Sequence, residues 1–594
     1  MNEDQIIVAA WDLVSDDKER SVEGYKILKE AGGSSTAILL QTAHQWDELQ
    51  QARWLGIYAG GSPTDFLAHA INDPRAIDAL ADGLHDPECH FRSFAAFALA
   101  EIDDPRVAGL LAEAIRDEEP EVRQNAIYGL QRQGDERSFV LVTAAMNDAD
   151  ERVCSAAARA MRWIGGVDST QVLILALSDP AERVAASAAG SLGVLAITEA
   201  VDSLIEALHS ERGNLAKAAA DALGNIGDSH AVTPLIDILK TTDNLYVRSS
   251  AARALIKLAP EQAIEPLIAM LRCSDHLKRN LAAGSLGTLR DSRAADSLVK
   301  FLSDDDPGVA RSAAFALASI GDQRAIDPLL ALLQIEPRMQ PIKIGINPDV
   351  YRDEDMNRHI RNAAAKALGK LGDTWAIEPL ATTLGDASVA RTAASSLAQL
   401  GDERGVRYLL NVLRSGDKQQ VCSVVQALGE SKSPNAVMPL MELLTSEATS
   451  SSMRSYVLSA LARIGTQKAV EAVESVMILG DESAIDAAAE LAKLGHDSGF
   501  AYLGSELKSG NEKQRTRVVM KLHFISHPHA VDLLVLALRD RSSVVRLYAV
   551  RALGKIGDKS SIESLEALLN GKNRQIRVAA STSIRRLKIR CARE

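Results

Sequence analysis

Two clusters of imidazole and thiol groups are the first candidates for chemistry. His85, Cys89 and His90 gather around one turn, and His523, His527 and His529 flank Pro528 around another. Both side-chain types ligate metals, but His and Cys in turns are more commonly plain surface groups, so no metal site is expected. The five cysteines, Cys89, Cys154, Cys273, Cys422 and Cys591, are odd in number, far apart and in no C-x-x-C spacing. That argues against a disulfide framework and against a zinc site, and the thiols are expected to stay reduced. No G-x-x-x-x-G-K-[ST] loop is present to cradle phosphates, and the glycines follow helices rather than strands, so dinucleotide fingerprints are absent too. With no acid, base, nucleophile or ligand set in register, no catalytic residue and no cofactor is expected.

The elements that would have to position any site come from a chain of 594 residues, 46% apolar, 24% charged and only 4% aromatic. So few rings cannot build several independent cores, and burial has to come from Ala, Leu, Ile and Val, which favours helices. The start lacks a basic region followed by an apolar one, and no run of 18 apolar residues occurs, so a cytoplasmic protein with no membrane contact is expected.

Self-similarity decides the architecture. Aligning "NIGDSHAVTPLIDIL", "SIGDQRAIDPLLALL", "KLGDTWAIEPLATTL" and "KIGDKSSIESLEALL" gives anchors at Gly227, Gly321, Gly372 and Gly557. Weaker copies complete the set at Asn72, Asp103, Gly134, Gly165, Ala196, Ala259, Arg290, Gly401, Lys432, Gly465, Gly495 and Ser526. Ten of the fifteen intervals are 31 residues. Eight residues past the anchor all 16 copies are apolar, 14 of them Leu, and twelve past it all 16 are again apolar. Positions four apart share a helical face, so these mark the buried stripe of a first helix, A. A third ladder, four residues before the next anchor, runs from Leu99 to Leu553 and marks the last turn of a second helix, B.

Gly at nine anchors suits a helix C-terminus, where the left-handed conformation carries no Cβ clash. Asp135, Asp228, Asp322, Asp373, Asp402 and Asp558 follow directly and can accept from the free amides that open helix A. Asp179 is expected to do the same for a B helix with Pro180 at its first position. Pro234, Pro266, Pro328, Pro379 and Pro439 lie seven residues past the anchor, so the first turn of A is irregular or the helix is kinked there. Each hairpin has an apolar stripe too large to leave wet and too small to close on itself, and stacking of neighbours is the remedy. The fold class is therefore all-α, an α-α superhelix of about 16 stacked helical hairpins.

The unit "G-D-x-x-A-[IV]-x-P-L-…-L-…-V-R-x-x-A-A-x-A-L-G-x-[IL]-G-D", clearest over Gly227 to Gly321 and Gly557 to Ile584, resembles the HEAT-like repeat of the phycobilisome-lyase type. The resemblance covers about residues 72 to 594. It implies a right-handed superhelix of the HEAT/armadillo type with a concave surface lined by B helices. It also implies that the Arg of Val122-Arg123, Val247-Arg248, Ile360-Arg361, Val545-Arg546 and Ile576-Arg577 supports Asp residues of adjacent loops, a structural role. The same repeat serves bilin lyases, phycobilisome-degradation factors, deoxyhypusine hydroxylase and scaffolds. The hydroxylase of that resemblance binds two irons through His-Glu pairs, and this chain has no His-Glu dipeptide.

Three segments depart from the repeat. The single 51-residue interval places an inserted loop at 334–358, "QIEPRMQPIKIGINPDVYRDEDMNR", between helices A and B, and Tyr351 and Arg352 are its candidate partner contacts. From Lys508 to Glu594, nineteen Lys and Arg face seven Asp and Glu, a balance of +12 that leaves −25 for the remainder of a chain of net charge −13. Within that basic end (508–594), Arg585, Arg586, Lys588 and Arg590 are candidates for contact with an acidic protein or another polyanion, against the simpler role of a polar cap on the last repeat. Residues 1–70 fall outside the register of the solenoid (71–594) and, with Trp11, Trp46 and Trp54, read as a divergent helical cap. The expectation is a non-catalytic scaffold or adaptor that binds a protein partner along its concave face. A bilin lyase or phycobiliprotein-associated factor is the alternative, and nucleic-acid binding by the basic end is a weaker second one.

Overall fold

A computed structural model describes residues 74–591, apart from 103, 337–338, 344–350, 356, 416–417, 447–448, 480–482 and 572, together with Gln5 and residues 7–9. The expected cap over 1–70 lies outside the described residues, those four excepted. The chain divides into two compact units, one of Met1–Ile226 with Leu565–Arg586 and the other of Gly227–Ser564 with Leu587–Glu594. Each is built of α-hairpins, for example helix A Val232–Thr241 with helix B Leu245–Leu258, then Pro260–Leu271 with His276–Leu289. The inserted segment adds two short strands, β1 (Met339–Lys343) and β2 (Tyr351–Asp355), paired antiparallel.

The periodic apolar positions are the core. At the eighth position past the anchor, every side chain from Leu80 to Leu565, Val142 and Val473 included, is fully buried. So is the whole B ladder from Leu99 to Leu553, Met161 included. Each buried Leu contributes about 1.5–3 kcal/mol, so stability accumulates repeat by repeat. The twelfth position is closer to the surface: Leu271 is fully buried, whereas Leu569 in the last repeat is exposed. Successive B helices approach so closely that large residues are excluded. A Cβ on Gly193 would stand 2.5 Å from the Cα of Ala222, and one on Gly287 2.7 Å from that of Ala316. Alanine-rich B helices are the sequence's answer, which accounts for the scarcity of rings.

The anchors carry the left-handed turns. All ten described residues with positive φ are anchors: Gly134, Gly227, Gly321, Gly372, Gly401, Gly465, Gly495, Ala196, Arg290 and Lys432. Gly165 (φ −74°) and Gly557 (φ −61°) depart from this, and at Gly165 the chain passes directly into a 3-10 turn, Gly166–Ser169. The six Asp residues after the anchors all accept a backbone amide, as Asp322 does from Arg324 at 3.0 Å and Asp135 from Ser138 at 2.7 Å.

The recurring prolines follow from an irregular first turn. Ser229–Ala231, Gln323–Ala325, Thr374–Ala376 and Pro434–Ala436 are 3-10 turns, so Pro234, Pro328, Pro379 and Pro439 fall third in the α-helix, where no intrahelical acceptor awaits their amide. Pro266 differs, lying inside a helix that already begins at Pro260. Pro180 requires a correction: its B helix begins at Glu182 with Ala181 as the cap, so Pro180 precedes the helix, although Asp179 does accept the Ala181 amide at 2.8 Å.

A ladder of ion pairs ties the A–B turns together. The Nε and Nη2 of Arg92, Arg123, Arg279 and Arg515 grip the two carboxylate oxygens of Asp117, Asp148, Asp304 and Asp540 at 2.7–3.1 Å, always 25 residues on. Arg361 pairs with Asp386 at the same separation. Each of these Asp residues also accepts the amide two residues later. Nη1 of Arg123 and Arg279 meanwhile donates to carbonyls of the turn before its own helix. The bidentate geometry makes these stronger than ordinary surface pairs.

Three outcomes are expected. Gly321 sits at φ 80° with nothing within 4 Å of a would-be Cβ, so Gly321→Ala should lose about 1 kcal/mol through backbone strain alone, while Lys432→Gly should gain a similar amount. Denaturant midpoints measure both. For Asp304, Asp386 and Asp540, burial alone would raise the pKa, but the guanidinium and amide donors more than offset it and hold each below the ordinary 3.8. A depressed carboxyl pKa gives stability that is complete above the unfolded value and lost as pH falls through the folded one. The destabilisation by Asp304→Asn should therefore be full at pH 7 and shrink below about pH 4; an equal loss at pH 7 and pH 3 would refute the coupling.

Candidate partner interface

In each hairpin, one face of helix B packs on its neighbours through Ala and Leu, which leaves longer side chains for the opposite face. Three recesses open on that face within the second unit. The first lies among helices Leu245–Leu258, His276–Leu289 and Pro307–Ile320, has a volume of about 710 Å³ and is lined by Tyr246, Arg253, Ile256, Lys257, Leu277 and Leu281 among others. Tyr246 and Leu277 are 74% and 44% exposed. They occupy the second position of successive B helices, one repeat apart. Asn244 accepts the amides of Tyr246 and Val247, and Asp275 accepts that of Leu277. These caps fix the first turn so that Val247 points into the core while Tyr246 faces out.

The second recess, about 410 Å³, adjoins the first, sharing Gly284, Thr288 and Ser312, and reaches Arg290, Phe315 and Ser319. The third, about 360 Å³, lies among B helices Arg358–Leu371, Ala390–Gln399 and Lys418–Ser431 and presents Lys366, Lys370, Arg391, Gln399, Gln426 and Glu430. Lys366 stands 5.5 Å from the centre of the Phe315 ring, an aromatic–cation contact. Glu430 is the one carboxylate in these linings, and it is engaged by Gln399 at 2.6 Å, Gln426 at 2.8 Å and Arg463 at 3.5 Å. The face is thus apolar and basic in a chain whose net charge is negative.

The sequence did not single out these residues, because one or two cations per repeat vanish in segment totals. The available signal was positional: Arg253 with Lys257, and Lys366 with Lys370, are i,i+4 pairs on the solvent side of B helices. Of the residues that were singled out, Tyr351 and Arg352 open strand β2, opposite Lys343 and Ile342. The cations of the last helix, Arg574–Cys591, are largely engaged by the chain itself. Arg585 donates to the carbonyls of Leu195 (2.7 Å) and Ala196 (3.3 Å), and Arg586 to that of Val194 (2.7 Å). Those carbonyls end helix Glu182–Leu195, where the helix dipole favours a cation. Arg590 donates to the carbonyls of Lys555 and Gly557, and Lys588 is exposed.

Histidines of both clusters contact their own chain. His527 stacks on Phe500 with ring centres 4.7 Å apart, His529 meets the same ring edge-on at 5.3 Å, and Nδ1 of His527 accepts the His529 amide. His85 bonds the Ala81 carbonyl and Glu113, which together raise its pKa. Among the described residues, no three His, Cys, Asp or Glu are grouped to hold a metal ion, and no helix is long and apolar enough to cross a membrane.

Comparison with known proteins accords with this architecture. HEAT repeats match at 107–193, 170–256, 264–339, 350–424, 406–493 and 500–585, more than half of the chain, and the PBS lyase HEAT-like repeat matches at 247–273. Phycocyanobilin lyase subunit alpha of Picosynechococcus sp. is 29% identical over 238 residues, 39% of this chain and 76% of that protein. Among solved structures, yeast importin-beta (Kap95p) is similar at a TM-score of 0.54 and 13% identity, covering 99% of this chain and 96% of that one. A Kap95:Nup1 complex is similar at 0.52 and 12% identity over the full length of both chains. These likenesses are of fold. With its repeats matched from residue 107 to 585 and its hairpins stacked in register, the chain belongs to the HEAT-repeat family.

Proposed function

We propose that this chain is a non-catalytic scaffold that binds a protein partner along its B-helix face, the partner presenting an apolar and acidic segment. The carrying observation is the first recess. Tyr246 and Leu277 stand open to solvent beside Arg253 and Lys257. Exposed aromatic and aliphatic anchors beside cations are what an interface uses to bury area and select charge. The cations of the third recess extend the same polarity along later repeats, and the inserted hairpin offers a further contact through Tyr351 and Arg352. Solenoids of this kind have no need of a reactive centre, since stacked repeats supply a long surface of graded chemistry.

The match to a phycocyanobilin lyase subunit supports a second reading, in which the partner is a bilin-carrying protein. Covalent transfer of a bilin to an apoprotein in the presence of this chain, followed by absorbance, tests it.

The experiment for the first reading is affinity capture with the full chain, beside a Tyr246→Ala/Leu277→Ala variant and a variant lacking residues 334–358. Both substituted positions are exposed, so helicity should be unchanged. Losing an anchor of this kind weakens an interface by about 2 kcal/mol or roughly 30-fold, and raising the salt concentration should weaken it further. A partner that binds the double variant as tightly as the parent would overturn the assignment of the face.

A further inference from the structure

Three arginines at the ladder position, Arg248, Arg454 and Arg546, have no carboxylate 25 residues on, where Cys273, Leu479 and Gly571 stand instead, and Arg248 is the most deeply buried of them. The Arg248 side chain is 1% exposed, and its Nε and Nη2 have no hydrogen-bond partner. In the intact rungs those two nitrogens hold the carboxylate found 25 residues on. For Arg248 that position is Cys273, a half-buried thiol. The nearby carboxylates do not substitute. Asp243 is almost wholly exposed, lies 3.9 Å from Nη2 and is shared with Lys278 at 3.2 Å, and Asp275 caps the next helix through the Leu277 amide. Burial pulls the Arg248 pKa down, while Asp275, Asp243 and Cys273 act in the opposite sense. A buried guanidinium with two free donors is costly, and an anion at position 273 would relieve it.

We propose that Cys273 is an oxidation site for hydrogen peroxide, and that its sulfinate completes the rung with Arg248. Cys273 gives its proton to solvent, the thiolate attacks one peroxide oxygen, an S–O bond forms as the O–O bond breaks, and the departing hydroxide takes up a proton from solvent and leaves as water. Sulfur gives up two electrons and becomes the sulfenic acid. A second peroxide repeats the step and yields the sulfinic acid, whose proton passes to solvent. The resulting sulfinate carries one negative charge shared by two oxygens on a side chain close to the length of Asp, so Nε and Nη2 can each donate to one oxygen. A neighbouring cation and partial access are the setting in which a cysteine is reactive. The other thiols provide controls: Cys422 is exposed, and Cys154 is buried, with Sγ donating to the Asp148 carbonyl at 3.1 Å.

The test treats the full-length protein with hydrogen peroxide, traps sulfenate with dimedone and maps both oxidation states by peptide mass spectrometry. Cys273 should react roughly tenfold faster than Cys422, and Arg248→Met should abolish that preference. Cys273→Asp, which supplies the carboxylate directly, should raise Tm by about 2 °C without peroxide, whereas Cys273→Ser should not. The oxidised parent should shift in the same direction. Reaction at Cys273 no faster than at Cys422, a preference that survives Arg248→Met, or a Tm lowered by Cys273→Asp would each overturn the proposal.

Discussion

A hairpin of about 31 residues cannot bury its own apolar stripe, and the rest of the structure depends on that shortfall. Stacking is the only way to remove Leu80, Leu111 and their successors from water. Once hairpins stack, the separation of adjacent B helices is set by the smallest side chains between them, hence Gly193 against Ala222 and Gly287 against Ala316. Polar groups must then be satisfied between neighbours, because each hairpin covers its predecessor. The bonds that do so recur at fixed separations, as between Asn125 and Ser93, Ser155 and Ser187, or Arg279 and Asp304. Stability is therefore a property of contacts between units more than of the units themselves.

This dependence explains what could be read from residues alone. Ladder positions, anchors and capping Asp residues each obey a rule that acts within one repeat, so a period in the sequence is a period in the structure. Ala196, Arg290 and Lys432 adopt left-handed conformations although they are not Gly, because tertiary packing ends the B helix at that register whatever residue stands there. The prolines needed the structure: whether Pro234 or Pro266 lies third or seventh in its helix turns on a 3-10 turn that no residue type announces.

The surface was less legible. Summed over a segment, charge pointed to the C-terminal end, yet Arg585, Arg586 and Arg590 answer carbonyls of their own chain. The cations that face open recesses are spread singly over many repeats, and only their helical phase unites them. The Arg248 rung was half legible: the Val-Arg pair marks the donor, while the missing acceptor appears only once the 25-residue separation is known from the intact rungs.

The same ladder bears on where such a chain can grow. An arginine that clasps the Asp of an A–B turn fixes that turn's length as well as its shape. The large insertion lies in the one A–B turn that directly follows Ile335, at the acceptor position, with Ala310 where the arginine would stand. The ladder arginine is absent from that turn, and twenty extra residues entered it without moving Leu329 or Leu368 from the core. A turn without its arginine tether thus accommodates a long insertion with the flanking ladder intact, while the turns at Ser210 and Thr241, with Ala185 and Ala216 at the donor position, keep the ordinary repeat length.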